Sequence, residues 1–295
     1  MADGVELAAG ELEAVVQGGA LLSVAALRHR GEEMLVAPEA LPPAYRVHGV
    51  RAGITLLHPW ANRLGADRFV TAGAEVVLDD EHVGREPAGL ALHGLAIPGT
   101  WAAEAVDDAT ARTTAGFAAH AAFPWPHELE VVVEIASPAR LSVTTTVRAP
   151  AGGDPVPVAF GWHPYFALPG APRAGWRLEL PEREHVGVDN RGLPDGTSRP
   201  QAPEFAPLAE RTFDDGYSGL PEVPTLAVDG GGRRIAIAFT AGYPFAQVFA
   251  PGDRDVVSLE PMTGPTDALR TGRDLRFATP GEPYVARFVV DVEPA

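Results

Sequence analysis

The chain contains neither cysteine nor lysine, so all 23 of its basic residues are arginines. Without thiols it cannot form disulfides, thiolate metal sites or a cysteine nucleophile. Without lysine it can neither form a Schiff base with a substrate nor bind a nucleotide through a P-loop lysine. Enzyme classes that depend on those groups are therefore excluded.

Positive charge as a whole is scarce, because 23 arginines against 39 acidic residues give a formal net charge of −16. Nucleic acids and anionic membranes are bound through basic patches, which this composition disfavours. No apolar stretch approaches the roughly 18 residues of a membrane helix, and the first residues do not resemble a signal peptide. We expect a soluble, cytoplasmic protein, a monomer or homodimer, that binds a small molecule and neither nucleic acid nor membrane.

The 32 glycines and 29 prolines are scattered along the chain and leave little room for long helices. Between them lie alternating, β-branched runs that are typical of strands, at residues 141–147, 235–239, 256–260 and 284–292. Residues 5–36 read as a meander of short strands interrupted by glycines. The sequence therefore predicts an all-β fold, with one large antiparallel β domain spanning residues 1–295.

Two segments are harder to assign. Residues 101–115 are alanine-rich, which favours helix by propensity, but their apolar residues lack a 3.6-residue period. We therefore favour strands there. Residues 169–210 are rich in proline and are predicted to form long excursions from a sheet.

Known catalytic motifs are mostly absent. None of the nine histidines has a partner at typical metal-ligand spacing, and neither HExxH nor GxSxG occurs. We therefore predict no metal site, and acid–base chemistry by histidine and carboxylate is the most natural remaining option.

Four short segments place polar residues in apolar, turn-rich surroundings. They are HPWANRL at 58–64, LHGL at 92–95, GWHPYF at 161–166 and LEPMTGP at 259–265. The polar residue of each segment can also be explained without a function, as a solvated arginine, a buried structural histidine or an exposed glutamate at a strand end.

His163 and Glu260 differ from the other candidates because each precedes a proline and ends an apparent strand. The proline restricts each residue to extended backbone. With a period of two, Glu260 shares a face with Ser258, while His163 lies opposite Trp162. A carboxylate and an imidazole would thus project from rigid strand ends, although the sequence alone does not show that they meet.

Taken in order, HPWANRL, LHGL, GWHPYF and LEPMTGPTDAL resemble the aldose 1-epimerase (galactose mutarotase) family over nearly the whole chain. The resemblance implies an antiparallel β-sandwich of the galactose mutarotase type with a sugar cleft. It implies an isomerase that interconverts the α and β anomers of a free aldohexose, with no organic cofactor and no catalytic metal.

The resemblance also assigns roles to individual residues. Glu260 matches the catalytic base, His163 the general acid, and His93 a second active-site histidine near the sugar ring oxygen. Arg63 matches the sugar-binding arginine, and we place the adjacent Asn62 among the substrate-binding residues.

An Asp-x-x-aromatic element of the family binds sugar hydroxyls, and Asp214 with Tyr217 fits it. Asp215 is the adjacent rival for that role, and the acidic pair also reads as a plain turn. We expect an aromatic side chain, Tyr165 or Trp60, to stack on the sugar.

The chain departs from the usual family pattern at Trp162, where Thr or Asn is common, and at Ala167, where Asn is common. These departures leave the preferred sugar open.

Three alternative functions are also compatible with parts of the sequence. A hexose 6-phosphate epimerase would need additional cations, and a non-catalytic sugar-binding protein would not need Glu260 and His163 together. A glycoside hydrolase would need paired carboxylates, for which the doublets at 79–80 and 107–108 are candidates.

Overall fold

A computed structural model describes residues 4–37, 52–78 and 81–294, and nearly all regular secondary structure of these residues is antiparallel β-sheet. Strands are numbered in chain order. The all-β prediction is confirmed, and no helix of the described residues is long and apolar enough to cross a membrane.

The larger sheet contains 11 strands of the described chain. From edge to edge they are β1 (Val5–Ala9), β2 (Leu12–Gln17), β3 (Ser23–His29), β5 (Ile54–Leu57), β16 (Gly161–Pro164), β25 (Ser258–Met262), β24 (Phe245–Ala250), β21 (Phe213–Ser218), β18 (Arg183–Val188) and β19 (Pro194–Gln201), with β4 (Glu32–Glu33) paired to β3.

The second sheet has nine strands within the same described ranges. They run in the order β11 (Glu104–Asp107), β12 (Thr110–Phe117), β13 (His127–Ser137), β14 (Arg140–Arg148), β27 (Tyr284–Pro294), β23 (Arg233–Ala241), β22 (Thr225–Gly230), β17 (Arg177–Leu180) and β20 (Glu204–Pro207).

Smaller elements complete the described structure. They are a sheet of β6 (Arg63–Leu64), β10 (Ala91–Leu95) and β9 (Val83–Arg85), the pairs β7 (Arg68–Thr71) with β8 (Ala74–Val77) and β15 (Val156–Val158) with β26 (Arg276–Ala278), the helix α1 (Ala268–Thr271) and a 3-10 turn at Arg173–Gly175.

The main core lies between the two large sheets, which makes the fold a β-sandwich. Trp162 of β16 shows the packing, since its ring meets Phe288 of the second sheet and its indole N–H donates to Thr145. The neighbouring His163 points to the opposite face of the larger sheet, as the strand period requires. The site therefore lies on the outer face of that sheet, held by strands whose other face is core.

The two uncertain segments have different outcomes. Residues 101–115 contain β11 and most of β12, so the strand assignment is confirmed. The prediction of long excursions at 169–210 is wrong, because the segment contains β17, β18, β19 and β20. Its prolines are tolerated because β19 and β20 are the edge strands of their sheets, where a missing N–H costs no ladder bond.

Candidate active site

Adjacent strands bring together the two residues predicted to perform acid–base chemistry. His163 lies on β16 and Glu260 on β25, and Nε2 of His163 is 3.4 Å from Oε1 of Glu260. Both side chains are buried, with exposed fractions of 6% and 2%. This separation is slightly longer than a hydrogen bond, as is common for catalytic groups without substrate, and a small approach of the two groups would allow proton transfer between them.

The carboxyl group of Glu260 has a strongly shifted pKa. Burial raises the pKa of its carboxyl group well above 4.5, and the nearby Asp214 carboxylate raises it further. A hydrogen bond from Ser258 and the charge of Arg63 act in the opposite direction but do not outweigh burial. Its second oxygen, Oε2, is buried with no hydrogen-bond partner among the described residues. Such an unsatisfied buried acceptor is costly for stability and is characteristic of a functional group.

His163 is also uncharged in the free protein, since burial lowers its pKa to about 3. Its Nδ1 lies 2.9 Å from the hydroxyl oxygen of Ser258. Because that hydroxyl donates to Glu260, its oxygen accepts from Nδ1–H of His163. The unprotonated Nε2 then faces Glu260, which leaves one proton shared between the two residues.

His93 lies beside this pair, with its ring centroid 5.5 Å from that of His163. Its Nδ1 accepts a hydrogen bond from the backbone N–H of Asn62 at 3.2 Å. In the neutral ring the proton is therefore on Nε2, which becomes a donor. Burial lowers the pKa of His93 well below 6.5, and repulsion from His163, when protonated, and from the Arg63 charge lowers it further. His93 is thus a neutral hydrogen-bond donor.

Arg63 is fixed by three acceptors. Its Nε donates to Glu86 at 2.9 Å, and its terminal nitrogens donate to Asp214 at 3.1 Å and to Oδ1 of Asn62 at 3.3 Å. Burial alone would lower the pKa of Arg63, but Asp214 and Glu86 outweigh it and raise the pKa. The guanidinium group is therefore charged and oriented, with its charge balanced by two carboxylates.

The two neighbouring aspartates on β21 have different partners, as expected from strand alternation. Asp214 bonds Arg63 and accepts from Nε2 of Gln247 at 2.8 Å. Asp215 instead pairs with His185 at 2.8 Å. The structure thus places Asp214, and not Asp215, beside the predicted site residues.

A cleft of about 110 Å³ adjoins this cluster. Asn62, Arg63 and Asp214 line it, together with Tyr217. The three predicted catalytic residues are buried next to these lining residues and do not line the cleft themselves. Within the described part of the chain, no group of three or more His, Cys, Asp or Glu residues is arranged to hold a metal ion.

The two predicted stacking aromatics have other roles. Tyr165 is buried and stacks on the ring of His163, with centroids 4.2 Å apart. The expectation for Trp60 is wrong, because its side chain is buried in the main core and is not accessible to a sugar. The cleft is lined instead by Phe245, whose place no sequence motif indicated.

Sequence reasoning also missed two polar residues of the site, Gln247 and Glu86. Gln247 lies directly opposite Glu260 in the β24–β25 pairing and lines the cleft. Glu86 directly follows β9 and orients Arg63 of β6, two strands of the same small sheet. Neither stands in a recognisable motif, and only the strand register and the folding of the chain place them here.

Comparison with known proteins agrees with this arrangement. The sequence matches the family described as aldose 1-epimerase over residues 5–291. The chain belongs to the aldose 1-epimerase family. The recognition made from the four ordered motifs is thereby confirmed, and the match spans nearly the whole chain.

Individual relatives are distant. The uncharacterized protein YihR of Escherichia coli K12 is 23% identical over 293 residues, which cover 95% of this chain and 90% of YihR. A galactose mutarotase-like protein of Clostridium acetobutylicum has a TM-score of 0.79 at 17% identity, covering 99% of this chain and 95% of its own. A galactose mutarotase related enzyme of Lactobacillus acidophilus has a TM-score of 0.76 at 15% identity, covering 98% and 97%. At these identities the structural likeness establishes the fold.

Proposed function

We propose that this member of the aldose 1-epimerase family is a mutarotase that interconverts the α and β anomers of a free aldohexose. The observation that carries the proposal is the buried His163–Glu260 pair, in which an imidazole nitrogen and a carboxyl oxygen lie 3.4 Å apart. Mutarotation requires one base and one acid at the anomeric centre, and neither group is consumed over a cycle.

In the proposed reaction the shared proton resides on His163 when the sugar is bound, so that Glu260 is a carboxylate. Glu260 removes the proton of the anomeric hydroxyl while His163 donates its proton to the ring oxygen, and the C1–O5 bond breaks. After rotation about the C1–C2 bond, the two transfers run in reverse on the other face of the aldehyde. The pair ends the cycle with the single proton it began with.

The surrounding residues suit recognition of the sugar. His93 would donate from Nε2 near the ring oxygen, and Asp214 would accept from a hydroxyl group. The Arg63–Asp214 ion pair crosses the cleft in the free protein. We infer that sugar hydroxyls replace this bond on binding, with Asn62 holding Arg63 in place.

The charge of the cleft favours an unphosphorylated sugar over a hexose 6-phosphate. Arg63 is the one arginine among the described residues that line the cleft, and Glu86 and Asp214 already balance its charge. A phosphate group would need cations that are not so neutralised.

The hydrolase alternative has little support in the described structure. Asp107 and Asp108 are exposed at the turn between β11 and β12, away from the cleft residues. The other doublet, at 79–80, lies outside the described residues.

Polarimetry on freshly dissolved α-D-glucose and α-D-galactose tests the proposal directly. We expect the wild-type protein to accelerate the decay of optical rotation above the buffer rate. If neither sugar is accelerated while either raises the melting temperature, the chain is a sugar-binding protein and the proposal fails.

Replacing Arg63 with Ala should raise KM by about 10- to 100-fold with a smaller effect on kcat, because the lost charge-assisted hydrogen bonds act in binding. Initial polarimetric rates over a range of sugar concentrations measure both constants. Arg68→Ala is a matched control, since Arg68 pairs with Glu75 on an exposed hairpin. A loss confined to kcat would contradict the binding role.

The pH dependence follows from the single shared proton. On the acid side, the pair gains a second proton only at His163, whose pKa burial lowers to about 3. On the alkaline side, the pair loses its single proton at the raised pKa of Glu260. Activity should therefore persist as pH falls from 6.5, the ordinary histidine value, to about 5, and should decline on the alkaline side. Rates corrected for the buffer reaction measure the profile. A fall in activity on the acid side with its midpoint near pH 6.5 would contradict the single shared proton.

A further inference from the structure

A second cavity, of about 360 Å³, shares no lining residue with the cleft. Its walls are largely apolar and include the aromatic rings of Trp101, Phe117 and Phe123. Three histidines that the proposed reaction does not use also line it, namely His120 and the pair formed by His58 and His127. A pocket of this size with apolar walls and a few converging polar groups is typical of a small-molecule site.

His58 and His127 are 69 positions apart in the sequence, yet their Nε2 atoms lie 2.9 Å apart. Nδ1 of His127 lies 2.8 Å from the backbone carbonyl of Trp125, so it carries the proton and donates. Nε2 of His127 is then an acceptor, and Nε2–H of His58 donates to it. This leaves His58 with an unprotonated Nδ1, which can only accept a hydrogen bond.

The buried pair of His58 and His127 is uncharged. Burial lowers the pKa of His127 to about 4 and that of His58 well below 6.5, and repulsion between the two imidazoles, when both are protonated, lowers the pKa of His58 further. None of the described residues that line it is Asp, Glu or Arg. The ring of Phe117 stacks on His127, with centroids 4.6 Å apart, and also contacts His58. A charged ligand would therefore lose hydration without gaining a carboxylate or guanidinium partner.

The same features argue against two other classes of ligand. A sugar carries a hydroxyl group on most of its carbons, and these walls offer few polar partners for them. Although His120 also lines the cavity, no group of three or more His, Cys, Asp or Glu residues in the described chain is arranged to hold a metal ion there.

We propose that this cavity binds a small neutral aromatic molecule that donates one hydrogen bond, from a hydroxyl or N–H group, to His58. The aromatic walls contact the ring of the ligand, and the His58–His127 hydrogen bond fixes the tautomer that accepts the donor. The site does not depend on the proposed mutarotase activity, and binding is measured without sugar.

The test uses 2-naphthol as the probe and 2-methoxynaphthalene as the matched compound without a donor. Calorimetric titration of the full chain measures both affinities. We expect 2-naphthol to bind at least about fivefold more tightly, the effect of one hydrogen bond. His58→Phe should abolish this preference, because it removes the acceptor and keeps a ring.

Ala119→Trp provides a second test that does not disturb the buried pair, because Ala119 is exposed and lines the cavity. We expect it to weaken 2-naphthol binding at least tenfold. Ala105→Trp, at an exposed position on β11 outside the cavity lining, should not.

Several results would overturn the proposal. They are no binding of 2-naphthol at its solubility limit, equal affinity for the two probes, or binding that Ala119→Trp leaves unchanged. Binding of Zn²⁺ that requires His58 and excludes 2-naphthol would instead identify a metal site.

Discussion

Replacing Glu260 with Gln is expected to lower kcat for mutarotation by about 10²–10⁴-fold, the usual contribution of one positioned general base. The carboxyl group in the free protein is buried and its pKa is raised well above 4.5. A neutral amide of the same shape therefore replaces it with little disturbance of the neighbouring side chains. Sugar binding should be nearly unchanged, since the amide loses only basicity.

Two measurements separate these effects. Polarimetry gives kcat, and calorimetric titration with the preferred sugar gives the dissociation constant. Glu134→Gln is a matched control on an exposed position of β13, in the other sheet, and should retain full activity. A Glu260→Gln protein with wild-type kcat would refute the assignment of the base.

Replacing His163 with Asn should lower kcat to a similar extent. The variant keeps a hydrogen-bonding side chain beside Ser258 but has no group that can carry the proton shared with Glu260. The ring oxygen would then have to be protonated from water, which is not held in position. Because Tyr165 stacks on this ring, a modest loss of stability is also expected.

The double variant of Glu260→Gln and His163→Asn distinguishes a shared proton from two independent contributions. Residues that act as one unit give non-additive losses, so the double variant should be about as slow as the slower single variant. His185→Asn serves as control, because His185 also pairs with a carboxylate, Asp215, outside the cleft. Multiplicative losses in the double variant would contradict the one-proton pair.

Much of this arrangement was predictable because local patterns set it. Alternation of side chains along a strand predicted that Glu260 and Ser258 share a face, and that His163 lies opposite the core residue Trp162. The structure has Leu259 in the main core and Glu260 beside His163, as that alternation requires. The four motifs in order were enough to identify the family.

Other features depend on contacts between distant segments and were not predictable. Gln247 faces Glu260 only through the register of β24 on β25, and Glu86 reaches Arg63 from a position 23 residues further along the chain, just after β9. Proline content suggested loops in residues 169–210, but position at the sheet edge decides whether proline is tolerated. Trp60 was expected to stack on the sugar, yet it is a core residue.

The sequence by itself determined the fold class and the family, because strand periodicity and ordered motifs are local properties of the chain, and it was enough to propose the acid–base residues. Only the tertiary structure decided the surroundings of those residues, since burial and neighbouring charges shift a pKa and both arise from distant segments. Burial raises the pKa of Glu260 and lowers that of His163, and folding likewise places His58 beside His127 at a cavity.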